Sequence, residues 1–202
     1  MIIEQENKVF IHIPKTGGTS ITSRYLQKYK MKSVLKHSNH PFILYHTRGD
    51  KIITDWHFTY DQAYMQFPDY KYYTVIRHPI SRWVSIYKHF LMRNFIVGKG
   101  LYEWTEEVMS TLPRFDFFNG HNFEYEYSFM NFSKFFMPQW MYYREPEVEV
   151  HRMEDQTIWE SLDLEPQHVK KGIDIPEFNR KVIFEMIYDY YKKDFERWQM
   201  TE

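Results

Sequence analysis

The chain has 202 residues, which at roughly 150 residues per domain reads as a single domain with an insertion. Its 26 Lys and Arg against 27 Asp and Glu leave a formal net charge of −1, so no global basic field gathers nucleic acid, and any anion site has to be built locally. The absence of cysteine excludes disulfides, thiolate nucleophiles and Cys-ligated metal sites. No apolar run approaches the roughly 18 to 20 residues of a spanning helix. The start, Met1 to Lys8, shows no basic segment followed by an apolar stretch, so the expectation is a soluble, cytoplasmic chain. Aromatic residues make up 20%, read either as an aromatic-heavy core or as a surface that stacks on a ligand.

Val9 to Ile13 is a short β-branched and aromatic run that predicts a strand, and Pro14-Lys15-Thr16-Gly17-Gly18 predicts a turn. Thr19 or Ser20 is the expected N-cap of a helix over Ile21 to Tyr29, where Ile21, Tyr25 and Tyr29 share one face. A second strand ends at Ile52-Ile53, shortly before His57, and a short helix is expected over Asp61 to Phe67, stopped by Pro68. Tyr72 to Ile76 is the clearest strand; after Arg77-His78, Pro79 suits the first turn of a helix running to about Arg93. The pattern dissolves over about 94–137 into aromatics, Asn and Gly around one helix at Tyr102 to Ser110, and this stretch reads as the insertion. Val148 to Met153 returns to strand alternation, and Glu177 to Trp198 carries the apolar stripe of a long helix. Strands alternating with helices predict an α/β fold: a mainly parallel central sheet flanked by helices, with the ligand site beyond the strand carboxyl ends.

Two loops at such ends carry the chemistry. In Lys15-Thr16-Gly17-Gly18-Thr19-Ser20 the glycines let backbone N–H groups approach an anion, the helix offers its positive end, and Lys15 adds a mobile charge. The order is wrong for an ordinary nucleoside triphosphate loop, because Lys15 precedes both glycines instead of following the second. In Arg77-His78-Pro79-Ile80-Ser81-Arg82-Trp83-Val84-Ser85-Ile86-Tyr87, Arg77 sits at the strand end and Ser85 about two helical turns on, a pair suited to gripping a second anion, with Arg82 as a further candidate. His37, His40 and His46 have no carboxylate at matching spacing and read as a surface loop rather than a metal cluster.

Together these motifs resemble the sulfotransferases that use 3′-phosphoadenosine 5′-phosphosulfate (PAPS), most closely the heparan 2-O and 6-O type of carbohydrate sulfotransferase. Phe10 to Ser20 is similar to the family's 5′-phosphosulfate loop and Arg77 to Tyr87 to its 3′-phosphate motif, while Pro138-Gln139 to Tyr142, Arg152 to Asp155 and Tyr191 to Phe195 resemble later segments. The resemblance implies a P-loop-like three-layer fold with one domain over 1–202. It implies PAPS as donor, held by Lys15, Thr16, Gly17, Gly18, Thr19 and Ser20 at the 5′ end and by Arg77 and Ser85 at the 3′-phosphate, with Lys15 also stabilising the departing nucleotide. His78 stands where family members often have Asp or Asn, and His168 to Gly172 matches the family's closing loop poorly. Sulfonate transfer to an alcohol needs a base, and the resemblance places it near the second strand's end, at His57; Glu103, Glu106, Glu107 and Asp116 are the carboxylate alternatives, and a purely structural His57 is another. No metal is expected. The acceptor is expected to be a carbohydrate or other hydroxyl compound, with Tyr102, Trp104, Phe117, Phe118 and Trp140 offering apolar faces to a sugar ring. A nucleotide kinase with an atypical loop and a non-catalytic protein that binds adenosine 3′,5′-bisphosphate or a glycan are the alternatives.

Overall fold

The computed structural model describes residues 1–30, 44–48, 51–55, 57–112, 133–167 and 172–200, with only the backbone of 44–48 and 51–55 and of residue 133. In chain order the main elements are β1 (Ile2–Ile3), β2 (Lys8–Ile11), α1 (Gly18–Lys28), β3 (Leu44–Arg48), β4 (Lys51–Asp55), α2 (Tyr60–Tyr64), β5 (Lys71–Ile76), α3 (Pro79–Met92), α4 (Leu101–Thr111) and β6 (Val148–Arg152), followed by the long helix Arg180–Met200. The chain divides into two compact units, one of residues 1–77 with 139–170 and one of 78–138 with 171–200.

The first unit holds one six-stranded sheet in the order β3-β4-β1-β2-β5-β6. β2, β5 and β6 are parallel, pairing Phe10 with Tyr73 and Val75 with His151, whereas β1 is antiparallel to both β2 and β4, and β3 to β4. The sheet is therefore mixed, and the mainly parallel character expected from sequence is confined to the half that carries the two loops. The reason is connection length. Only Glu4 to Asn7, a single 3-10 turn closed by a left-handed Asn7, joins β1 to β2, and two residues separate β3 from β4; parallel neighbours need a crossover of a dozen residues or more. The strands β1 and β3 are not among the sequence expectations; β1, two residues long, carries too little periodicity to be read.

β2 and β5 are buried almost throughout, as strands covered on both faces are. Phe10, Tyr73 and Val75 meet Ile21 and Tyr25 of α1 and Ile158, Trp159 and Leu162 around the short helix Ile158–Ser161. Tyr72, pointing the opposite way from Tyr73, packs its ring 4.9 Å from Tyr60 of α2. A charged knot fastens α1 to the sheet: the Tyr29 hydroxyl donates to Glu6, Lys8 lies 3.0 Å from its other oxygen, and Lys28 bridges Glu6 at 3.0 Å and Asp163 at 3.1 Å.

The second unit is a helical body. Ile80, Trp83, Val84, Tyr87 and Phe90 of α3 meet Leu101, Trp104 and Val108 of α4, Phe136, and Ile183, Ile187, Tyr191 and Phe195 of the long helix. The long helix is non-helical at Tyr191 (φ −103°, ψ 18°), whose hydroxyl donates to the Phe136 carbonyl at 2.6 Å. Trp104 is 4% exposed, with its ring 4.9 Å from Trp83 and 5.3 Å from Tyr87. It is core, and the expectation that it offers a face to a sugar is corrected; its i, i+3, i+4 spacing with Leu101, Thr105 and Val108 was the signal. Tyr102 is 40% exposed but accepts the Asn179 N–H at 2.6 Å, and Phe117 and Phe118 lie outside the described residues.

Burial alone would raise the Glu6 carboxyl, but hydrogen bonds from Tyr29, Lys28 and Lys8 outweigh it and hold it below the usual carboxylate value. A folded-state value below the unfolded one means the stabilisation is complete above the unfolded value and is lost as pH falls through the folded one. Glu6→Gln should therefore cost about 2 kcal/mol near neutrality, with the deficit shrinking below about pH 4. Thermal unfolding of both proteins over a pH series checks this; a deficit that stays constant down to acid pH contradicts it.

Candidate active site

β2 ends at Ile11, and the next six residues turn the chain into α1. The turn is closed from within: the Thr16 hydroxyl donates to the Ile13 carbonyl at 2.9 Å, and Thr16 is fully buried. Two residues take left-handed conformations, Lys15 at φ 69° and Gly17 at φ 97°. Gly17 suits that region at no steric cost, whereas Lys15 adopts it at a cost, its carbonyl accepting a hydrogen bond from Arg77. The helix begins at Gly18 with Gly17 as its N-cap and no side-chain cap, so the expected capping by Thr19 or Ser20 is corrected: both are already helical, Thr19 exposed and Ser20 half-buried. Because no side chain occupies the cap position, the first turn of α1 presents its positive end at the loop.

Gly18 is fixed by packing. A Cβ built there lies 2.1 Å from the His12 imidazole, a separation no side chain tolerates. His12, 8% exposed, in turn meets His57: the ring centroids are 4.5 Å apart, and His57 Nδ1 lies 2.6 Å from the His12 carbonyl oxygen. A carbonyl only accepts, so His57 Nδ1 carries the proton and donates; the neutral ring then has its lone pair on Nε2. His57 follows β4 closely and is steadied from the other side by the capping box of α2, in which Thr59 N–H donates to Gln62 Oε1 at 3.1 Å and Gln62 N–H to Thr59 Oγ1 at 3.4 Å.

The second loop leaves β5 beside the first. Arg77 Nη1 donates to the Lys15 carbonyl at 3.2 Å, so the two loops expected to hold an anion are hydrogen-bonded to each other. The first unit thus brings together Lys15, Thr16, Gly17, Gly18, Arg77, His12 and His57. Ser85 is a half-buried residue of α3 in the second unit. Arg82, read from sequence as a further anion ligand, is 2% exposed, and its Nη2 donates to the carbonyls of Phe135 at 2.8 Å and Met137 at 3.1 Å. That assignment is corrected: the guanidinium satisfies backbone carbonyls inside the helical body. His78 stacks edge-on to Phe195 and Trp198 at 5.8 and 4.8 Å. Glu103 and Glu106 are exposed on α4, and Glu107 pairs with Lys99 at 2.6 Å. Asp116, His37, His40 and His168 to Lys171 lie outside the described residues, as does the side chain of His46.

Sequence reasoning missed His12, Gln139 and Gln167 as members of this neighbourhood. Gln139 is buried against Arg77. Gln167 edges a small cleft shared with Gly17, Ser20, Met153 and Trp159, and its buried Oε1 has no hydrogen-bond partner among the described residues. Two buried amides far apart in the chain leave no periodic signal, although the family-like segment beginning Pro138-Gln139 did point to one of them. Gly18→Ala should lose about 2–3 kcal/mol of stability through overpacking against His12. Gly172→Ala, where the added methyl meets the flexible Lys88 side chain at 3.4 Å and nothing else among the described residues, should change little. Chemical denaturation of the two variants checks the contrast, and equal effects contradict the packing argument.

A family model of the sulfotransferases matches residues 1–158. That span includes both loops, His57, Ser85 and Gln139 and stops before the long C-terminal helix. No curated protein and no solved structure matches the chain. With the match covering well over half of the 202 residues, and both signature loops inside it, the chain belongs to the sulfotransferase family.

Proposed function

We propose that the protein transfers a sulfonate group from PAPS to a hydroxyl of a carbohydrate acceptor, with His57 as the base. The observation that carries this reading is the His57 Nδ1 contact to the His12 carbonyl at 2.6 Å, which leaves Nε2 as the proton acceptor in the same frame as the loop.

The residues present fit such a donor. Gly18 keeps the start of α1 free of a Cβ, Gly17 caps the helix without a side chain, and Lys15 and Arg77 bring two cations to a chain whose net charge is −1. Lys15, the backbone from Thr16 to Ser20, and the Ser20 hydroxyl would hold the 5′-phosphosulfate, and Arg77 the 3′-phosphate. When bound, PAPS supplies an activated sulfonate on a phosphate leaving group. Lys15 carries its ammonium at the loop where negative charge accumulates, so its contribution is electrostatic and preorganised. His57 takes the acceptor's hydroxyl proton on Nε2, and the His12 carbonyl then holds an imidazolium whose Nδ1–H still points the same way. No step in this scheme calls on a metal. The carbohydrate acceptor rests on the likeness of Phe10 to Ser20 to the heparan-type loop.

Incubating the protein with sulfonate-labelled PAPS and a panel of glycans and small alcohols tests the reading. Label is expected on a sugar hydroxyl; no transfer to any hydroxyl contradicts it. On the best acceptor, Lys15→Ala should lower kcat by about 10² to 10³. His57→Gln should lower kcat by roughly 10² to 10⁴ while affinity for adenosine 3′,5′-bisphosphate changes little. A folded His57 variant with near-native turnover gives the base role to another group.

A further inference from the structure

β5 is laddered to β6 up to Ile76, which pairs with Arg152 and whose carbonyl accepts the Met153 N–H at 2.8 Å. One residue later the chain leaves the sheet, and the Arg77 backbone needs other partners if its conformation is to be fixed. A single side chain supplies both. Gln139 Oε1 accepts the Arg77 N–H at 2.9 Å, and Gln139 Nε2 donates to the Arg77 carbonyl at 2.9 Å. A carboxamide has the donor and acceptor of a peptide group, so Gln139 adds one rung to a ladder that has otherwise ended.

The rung is itself held. Gln139 is 2% exposed and opens a 3-10 turn, Gln139–Met141; its carbonyl accepts the Tyr142 N–H at 3.0 Å, and the Tyr142 carbonyl accepts the Tyr60 N–H at 2.7 Å. Arg77 is thus clamped at both ends of its own backbone, and from there its guanidinium reaches the Lys15 carbonyl at 3.2 Å. An arginine on a free loop loses backbone as well as side-chain freedom when it grips a ligand; one whose backbone is already held by two hydrogen bonds loses side-chain freedom alone.

We propose that Gln139 is the positioning residue for Arg77, and that through it the site discriminates a nucleotide bearing a second phosphate from one bearing only a 5′-phosphate. This rests on the reading of Arg77 as the ligand of that second phosphate. Gln139 does not itself touch the nucleotide in this scheme.

The test compares the affinities of the 202-residue chain for adenosine 3′,5′-bisphosphate and for AMP by calorimetry, in the wild type, Gln139→Met and Gln139→Glu. The first variant keeps the length and removes both hydrogen bonds; the second keeps the shape, loses the donor and sets a carboxylate oxygen against the Arg77 carbonyl. The preference for the bisphosphate over AMP should fall at least tenfold in each variant that folds. A purely structural role for Gln139 would weaken both nucleotides together, so a preference within threefold of the wild-type value overturns the proposal. A wild type that itself shows no preference is a separate result: it removes Arg77 as reader of the second phosphate before Gln139 is considered.

Discussion

The contact between the His12 imidazole and Gly18 is the constraint on which the rest of the site depends. It allows no Cβ at Gly18, the first residue of α1, which follows directly on the turn from Ile13 to Gly17. The same histidine offers its carbonyl to His57, and its ring lies 4.5 Å from the His57 ring at a tilt of 59°. One residue therefore packs against the first turn of α1 and holds the orientation of the His57 imidazole. Distances are short because β2 lies beside β1, and β1 beside β4, which delivers the chain to His57. The antiparallel half of the sheet brings that histidine to the carboxyl end of β2.

Around this core the supports are of different kinds. The Thr16 hydroxyl, buried and spent on the Ile13 carbonyl, stiffens the loop from inside. The Glu6 knot anchors the far end of α1, where Tyr29, Lys8 and Lys28 converge on one carboxylate. Gln139 clamps the Arg77 backbone, and Arg77 hydrogen-bonds the Lys15 carbonyl. Thr16, Gln139 and Arg77 each use a polar side chain to satisfy a backbone group that the turns of the chain take out of regular structure, which is the condition for burying irregular backbone, whereas the Glu6 knot joins side chains to one another. The helical unit does the same with Arg82, whose guanidinium serves two backbone carbonyls instead of a ligand.

Much of this was legible in the sequence because it is local. The run Val9 to Ile13 followed by two glycines and a helical period gave β2, the loop and α1, although β2 itself ends at Ile11 and the helix begins before the expected Thr19 or Ser20 cap. Tyr72 to Ile76 and Pro79 onward gave β5 and α3 nearly to the residue. What was not legible depends on contacts between distant segments. Nothing near Ile2-Ile3 announces a strand until β2 and β4 are beside it. Trp104 looked like a ligand-facing aromatic because composition alone does not say which side of a helix meets the core, and Arg82 looked like an anion ligand because charge alone does not distinguish a phosphate from a carbonyl. His57 is singled out in the sequence by family resemblance alone; its tautomer is set by a carbonyl 45 residues away.

The proposal that the Lys15–Gly18 loop and a catalytic His57 share one frame is tested most directly on the imidazole itself. Nitrogen-15 chemical shifts of His57 in isotopically labelled protein, assigned by comparison with His57→Gln, report which ring nitrogen carries the proton in the neutral form. The hydrogen bond to the His12 carbonyl predicts a protonated Nδ1 and a bare Nε2. A neutral His57 with its proton on Nε2 would contradict the shared frame, and with it the role of His57 as base.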